Sequence, residues 1–231
     1  MKNPRQMVLK ILLPLLVRFL SAVSDMLPNP KTPDPAGAKA AISEAAKDLL
    51  NHRWNSAARF SKLALKADPS QSEAHRMLGA AYAGMGDLAK AGEVMKEAVR
   101  IFPQSALLHA FLADLERRLD HYELAEESYR RVLEIEPPYE ERSHILLNLA
   151  QAVLLQGKFD EAEHMLRSIL ASDPSSTIGY HNLILLLEGL ERRDEALQQA
   201  AILRELAPDD DTIQAFLQRL QVRLMEAHSA S

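Results

Sequence analysis

Between residues 38 and 227, apolar side chains recur at the three- and four-residue spacing of helices with one buried face, and short polar breaks separate the runs. One stretch shows the rule. Leu78, Gly79 and Tyr82 share a face of a helix predicted over Glu73 to Gly84, Gly86-Asp87 is the break, and a second helix is predicted from Leu88 to Ile101. Glycine suits the end of the first helix because it takes positive φ without penalty. Asp suits the start of the next, where its carboxylate meets free N–H groups. Gly157-Lys158-Phe159-Asp160 repeats this chemistry further along. Residues 209–227 give a last helical pattern, with Ile213, Phe216, Leu217, Leu220 and Leu224 on one side and Gln, Arg and Glu opposite.

The helix pairs repeat. Pro69, Pro103, Pro137, Pro174 and Pro208 are spaced by 34, 34, 37 and 34 residues. Twelve residues before each stands an alanine: Ala57, Ala91, Ala125, Ala162 and Ala196. Ala64, Ala98, Val132, Ile169 and Leu203 keep the same register five residues before the prolines. A 34-residue period predicts an array of helix-turn-helix units. Proline ends each unit because it cannot continue a helix interior. The early alanine lies where two helices cross closely, and a larger side chain there overpacks at roughly 1–3 kcal/mol. The units fall at 38–71, 72–105, 106–142, 143–176 and 177–208, followed by a capping helix and tail at 209–231. Three extra residues around Pro138-Tyr139-Glu140 are expected to bend or loosen the array locally.

The second unit reads His75-x-x-Leu78-Gly79-x-x-Tyr82-x-x-x-Gly86-x-x-x-x-Ala91-x-x-x-Met95-x-x-Ala98-x-x-x-x-Pro103. It resembles the tetratricopeptide repeat (TPR), with His in place of the usual large residue and Met in place of an aromatic. The likeness extends over residues 38–208. The third unit departs from it at Ala113, Glu116 and Asp120, the fifth has Glu191 at the turn, and the first keeps mainly Ala57, Ala64 and Pro69. Divergence at the first copy is expected of a terminal repeat, which packs on one side only. The resemblance implies an all-α fold, a right-handed superhelical solenoid whose first helices line a concave channel for an extended peptide or a partner's helix.

Residues 1–37 are a different kind of sequence. Residues 7–20 are strongly apolar but broken by Lys10, Pro14 and Arg18. Gln6, Lys10, Pro14, Arg18, Ser21 and Asp25 form one helical stripe among leucines, the pattern of a basic amphipathic helix lying in a membrane interface. A secretory signal, with Ala22-Val23-Ser24 as its cleavage site, and a mitochondrial presequence are competing readings. A helix docked on the first repeat is a fourth. A spanning helix is least favoured, since two central cations cost roughly 2.5–3.5 kcal/mol each on insertion scales. Residues 28–37 are a proline-rich linker, with 28–35 expected as an extended spacer. Location is therefore read as membrane-associated or exported through residues 1–27, with organellar and cytoplasmic placement as alternatives.

Composition narrows the function. The 231 residues carry a net charge of −5, and residues 1–27 contribute +3 of it through Lys2, Arg5, Lys10 and Arg18 against Asp25. The rest is correspondingly acidic, which argues against nucleic acid as a partner. Aromatics are 5% and glycines number eight, too few for a sandwich or barrel. With no cysteine, disulfides, thiolate metal sites and a cysteine nucleophile are excluded. No phosphate-cradling loop, G-x-S-x-G elbow or H-E-x-x-H occurs. Glu141-x-x-His144 and Glu161-x-x-His164 have the spacing of di-iron bundles, but the further inward carboxylates such a centre needs are not evident, and solvated helix faces explain both. His75 and His109 sit at the repeat's large packing position and are read as packing residues, as is Trp54. No catalytic residue, metal or cofactor is implied, and the chain reads as a non-enzyme.

Binding is the expected work. The family's Lys/Asn/Arg clamp for a terminal carboxylate has no counterpart here, because Ile42, Ala46, Met77, Leu107 and Phe111 occupy positions that need polar or basic groups. A ladder of asparagines bonding a peptide backbone is a second mode in the family. Asn148 and Asn182 are two rungs, while Ser43, Met77 and Phe111 stand in the earlier copies. An amide offers both donor and acceptor, so it pairs with any peptide group. The expected groove comprises Asn148 and Asn182 with Leu147, Gln151, Leu154, Ile178, His181 and Leu185, which favours an apolar ligand. The competing reading has both amides bonded within the protein, Asn148 to Gln151 among others. The chain is read as a scaffold or adaptor for a protein or peptide partner, with a carrier chaperone or assembly factor for a secreted or membrane-complex client as the alternative.

Overall fold

The computed structural model describes residues 34–135 and 139–229. The described residues hold eleven helices and no strand: α1 (Pro35–Leu50), α2 (Trp54–Ala67), α3 (Ser72–Gly84), α4 (Leu88–Ile101), α5 (Ala106–Arg118), α6 (Tyr122–Glu134), α7 (Tyr139–Leu155), α8 (Phe159–Ser172), α9 (Thr177–Gly189), α10 (Arg193–Leu206) and α11 (Asp211–Ser229). The fold is an all-α helical-repeat solenoid closed by a C-terminal capping helix. The chain divides into two compact units, one ending at Ala74 and the other beginning at His75. In the first, α1 packs on α2 through Ala38, Ala45, Ala57 and Ala64, all without exposed surface.

In the second unit, Ala91, Ala125, Ala162 and Ala196 are each fully buried. That is the close helix crossing their recurrence predicts. One continuous core runs from Ala113 on α5 to Leu220 on α11, and it takes in Leu149, Leu166, Leu183 and Leu203. The capping helix buries Phe216, Leu217 and Leu220 and leaves Gln218 and Gln221 in solvent. Its apolar side closes the core, and its amides end the array.

The turns inside the helix pairs share one backbone conformation whatever residue occupies them. Gly86 and Gly157 have φ of 81° and 78°, and His52, Asp120 and Glu191 take 55°, 61° and 58°. Asp87 then caps α4 as expected, accepting from the Lys90 N–H at 3.1 Å. In the fourth unit the cap is Lys158, which makes no side-chain cap bond, and Asp160 serves only as a first-turn acid. Between units, Asp68-Pro69-Ser70 and Asp173-Pro174-Ser175 form the same turn, the aspartate accepting from the serine N–H at 2.9 and 3.1 Å.

Ion pairs join successive second helices in register. Glu126 and Arg130 of α6 meet Lys158 and Glu161, at 2.8 and 2.6 Å. One unit later, Glu163 and Arg167 of α8 meet Arg192 and Glu195, at 2.5 and 3.0 Å. Burial opposes charge on Glu126, but bonds from Lys158, Gln156 and Arg130 outweigh it and hold the carboxyl at about 2.

One expectation is corrected. Residues 35–37, assigned to the linker, are the first turn of α1. Asp34 caps it by accepting from the Gly37 N–H at 2.9 Å, and Pro35 occupies the first helical position, where its fixed φ and missing N–H cost nothing. At the three-residue insertion, Tyr139 and Glu140 open α7, which at 17 residues is one turn longer than α3, α5 or α9. The readings of residues 1–33 lie outside the described residues, as does Pro138.

Candidate functional site

The first helices of the second unit present one common face, tied at three points. Asn148 Nδ2 on α7 lies 3.5 Å from Asp114 Oδ1 on α5. The His181 ring on α9 packs 4.3 Å from the Phe216 ring on α11. Arg223 on α11 pairs with Glu188 on α9 at 2.9 Å. At 100° per residue, these contacts place Leu107, Asp114 and Arg118 on the α5 stripe, Asn148, Gln151 and Leu155 on α7, Ile178, Asn182 and Leu185 on α9, and Arg219 on α11. The helices follow one another across the face in the order α5, α7, α9, α11.

Most of the expected groove residues fall on or beside this face. Ile178 and Leu185 are 51% and 38% exposed, and Gln151, Leu154 and His181 are half-buried. Leu147 does not belong to it. It is buried in the core, because it sits about 100° round the helix from Asn148. The two asparagines differ. Asn148 reaches Asp114 of the preceding unit rather than Gln151. Asn182 is 8% exposed, and no hydrogen bond of its side chain occurs among the described residues.

Asp114 is the polar centre that sequence reasoning missed. The Tyr129 hydroxyl on α6 donates to its Oδ1, the same oxygen that faces Asn148. Burial and the Asp114 carboxylate both push the Tyr129 phenol above its ordinary value. A signal existed in the sequence: Tyr129 stands where the neighbouring units have Met95 and Leu166, and a buried hydroxyl requires a partner. Leu107 and Leu155 add apolar surface to the face, at 55% and 47% exposure.

A second opening, a cleft of about 540 Å³ lined by Lys96, His109, Leu112, Leu124 and Ser128, lies between α4 and α6 over α5. Buried Glu116 bridges its walls, 2.8 Å from Lys96 Nζ and 2.7 Å from His121 Nδ1. Burial works against its charge, yet the bonds from Lys96 and His121 keep the carboxyl below its ordinary value. His109 is half-buried with Nε2 3.3 Å from the Pro103 carbonyl, and His75 is buried with its ring 5.9 Å from that of Phe102. Both histidines pack, as their repeat position predicts. Glu161 of the second E-x-x-H pair is engaged by Arg130. Among the described residues no three His, Asp or Glu side chains converge as a metal site, and no helix is long and apolar enough to cross a membrane.

The repeat geometry and its sequence signature have counterparts in known proteins. Two family models, both described as tetratricopeptide repeat, match residues 48–115 and 103–175. The chain belongs to the tetratricopeptide-repeat family. No curated protein sequence matches it. Among solved structures it is similar to a MamA protein, with 22% identity over 76% of this chain and 94% of that one and a TM-score of 0.66. It is also similar to YrrB, described as a TPR protein with an unusual peptide-binding site, at 20% identity over 77% and 90% with a TM-score of 0.64. PilF of Pseudomonas aeruginosa aligns at 19% identity over 85% and 98%, TM-score 0.64. At these identities the likeness is one of fold.

Proposed function

We propose that the protein is a non-enzymatic scaffold that holds a segment of a partner protein across the face formed by α5, α7, α9 and α11, and that residues 1–27 associate it with a membrane. The carrying observation is Asn182, a nearly buried amide with no protein partner, beside exposed Ile178 and Leu185. Its amide atoms still reach solvent, and an amide carries both donor and acceptor, so it can exchange water for a bound peptide backbone. YrrB, of similar fold, is described as binding peptide. The +3 charge of residues 1–27, set against an acidic remainder, supports the membrane reading.

Co-purification from the native source followed by binding measurements tests the first half. Asn182→Ala should weaken capture of the co-purifying partner by roughly 1 kcal/mol or more, with little change in melting temperature. A loss of stability with affinity intact would make Asn182 structural. Fractionation tests the second half: removal of residues 1–27 should release the protein from membranes, still folded. Full-length protein that retains Met1 and is wholly soluble would rule out both anchoring and targeting.

A further inference from the structure

Two exposed arginines of this face lack an acidic partner among the described residues, as Arg193 and Arg204 on α10 also do. On α6, α8 and the start of α10, Arg130, Arg131, Arg167 and Arg192 each pair with a glutamate. On the face, Arg118 and Arg219 pair with no carboxylate among the described residues. Arg118 is exposed at the end of α5, and Arg219 Nε turns back to the Ala215 carbonyl at 3.2 Å. Arg223 is balanced by Glu188, whereas Asp114, bonded by the uncharged Tyr129 and Asn148, keeps its negative charge. Two unpaired arginines against one carboxylate leave the face a small positive excess in a chain of net charge −5. Its cations lie on the outer helices α5 and α11, and exposed Leu155, Ile178 and Leu185 lie between them on α7 and α9.

We infer that the partner segment is apolar in its middle and acidic at both ends, its carboxylates meeting Arg118 at one edge and Arg219 at the other. This rests on the proposed peptide-binding role of the face and specifies the ligand for it. Three helix spacings of about 8–10 Å separate the edges, so an extended segment needs its acids about seven to nine residues apart. The chain's own apolar residues 7–20 are the wrong occupant, since Lys10 and Arg18 would face these arginines.

Fluorescence anisotropy on the full chain tests the inference with three labelled peptides. One has an apolar run of about eight residues between aspartates, spanning the edges as reckoned above. The second replaces the aspartates by lysines, and the third is residues 5–20 of this protein. The aspartate peptide should bind about tenfold tighter than the lysine peptide, from two exposed charge pairs, with the difference shrinking in high salt. Arg118→Glu, an exposed change, should weaken the aspartate peptide about fivefold and strengthen the lysine peptide. Leu185→Asp should weaken all three and reports on the face itself. Equal binding of the first two peptides, both sensitive to Leu185→Asp but not to Arg118→Glu, overturns the inference and leaves peptide binding standing. Tightest binding by residues 5–20 overturns it in favour of self-recognition. If no peptide's binding responds to Leu185→Asp, the binding role of the face falls as well.

Discussion

Glu191→Gly should stabilise the protein, although it removes a side chain. Glu191 holds φ at 58° in the turn between α9 and α10, in the conformation that Gly86 and Gly157 adopt at 81° and 78°. An L-residue there carries strain of roughly 1–2 kcal/mol from Cβ against the following carbonyl. Glycine removes the strain but loses about 0.5–1 kcal/mol more backbone entropy on folding. The net gain is about 0.5–1 kcal/mol, which for a domain of this size raises Tm by about 1–4 °C. The Glu191 side chain is exposed and makes no hydrogen bond or ion pair among the described residues, so little is lost with it. Gly157→Ala is the mirror experiment. A Cβ at Gly157 would meet only the Phe159 ring at 4.0 Å, so any cost comes from the backbone rather than from a clash. It should lower Tm by a similar amount. Thermal melting followed by circular dichroism measures both. If Glu191→Gly melts no higher than the parent and Gly157→Ala no lower, turn strain is not a term in this fold's stability.

Ala91→Leu and Ala162→Leu should each destabilise by about 1–3 kcal/mol in chemical denaturation, since both alanines are fully buried at a helix crossing. Acid should weaken the α6–α8 junction. Glu126 is held at about 2 against 4.5 for the free side chain, so its contribution is complete above about 4.5 and drains away as pH falls towards 2; Glu126→Gln should flatten that part of a stability-against-pH curve. Asn148→Leu should lower Tm, because it takes a partner from Asp114, whereas Asn182→Leu, which breaks no protein bond, should change it little. A differential scan of the two variants separates them.

The helices were readable because each repeats a local rule. Ala91, Ala125, Ala162 and Ala196 mark crossings by their small size, and the polar side of residues 209–227 marks an end to stacking. Turn residues were less readable. Asp120 and Glu191 looked like departures from a glycine turn, yet they take the glycine conformation, since the packing of the flanking helices dictates φ and the residue absorbs the strain. Spacing alone also misplaced Leu147, which packing turns into the core. The Asp114–Tyr129–Asn148 cluster spans three helices and two units, and no local pattern announces such a contact. Its one trace was a hydroxyl at a position filled by Met95 and Leu166 in the neighbouring units.

The ion pairs explain how the face can retain unmatched polar groups. Glu126, Arg130, Lys158 and Glu161 recur one unit later as Glu163, Arg167, Arg192 and Glu195, so the junctions α6–α8 and α8–α10 carry the same bracing. At the preceding junction, Gly92 and Leu124 occupy the positions of the two glutamates, and the acid comes instead from Glu116 beneath. A cleft opens at that junction. Single exposed pairs contribute little, but a network in register resists sliding of one unit against the next, because any slip breaks several bonds together. The bracing lies on α6, α8 and the start of α10, whereas Asn182 and Arg118 take no part in it. Both can therefore be changed to test the proposed binding face without breaking these junctions.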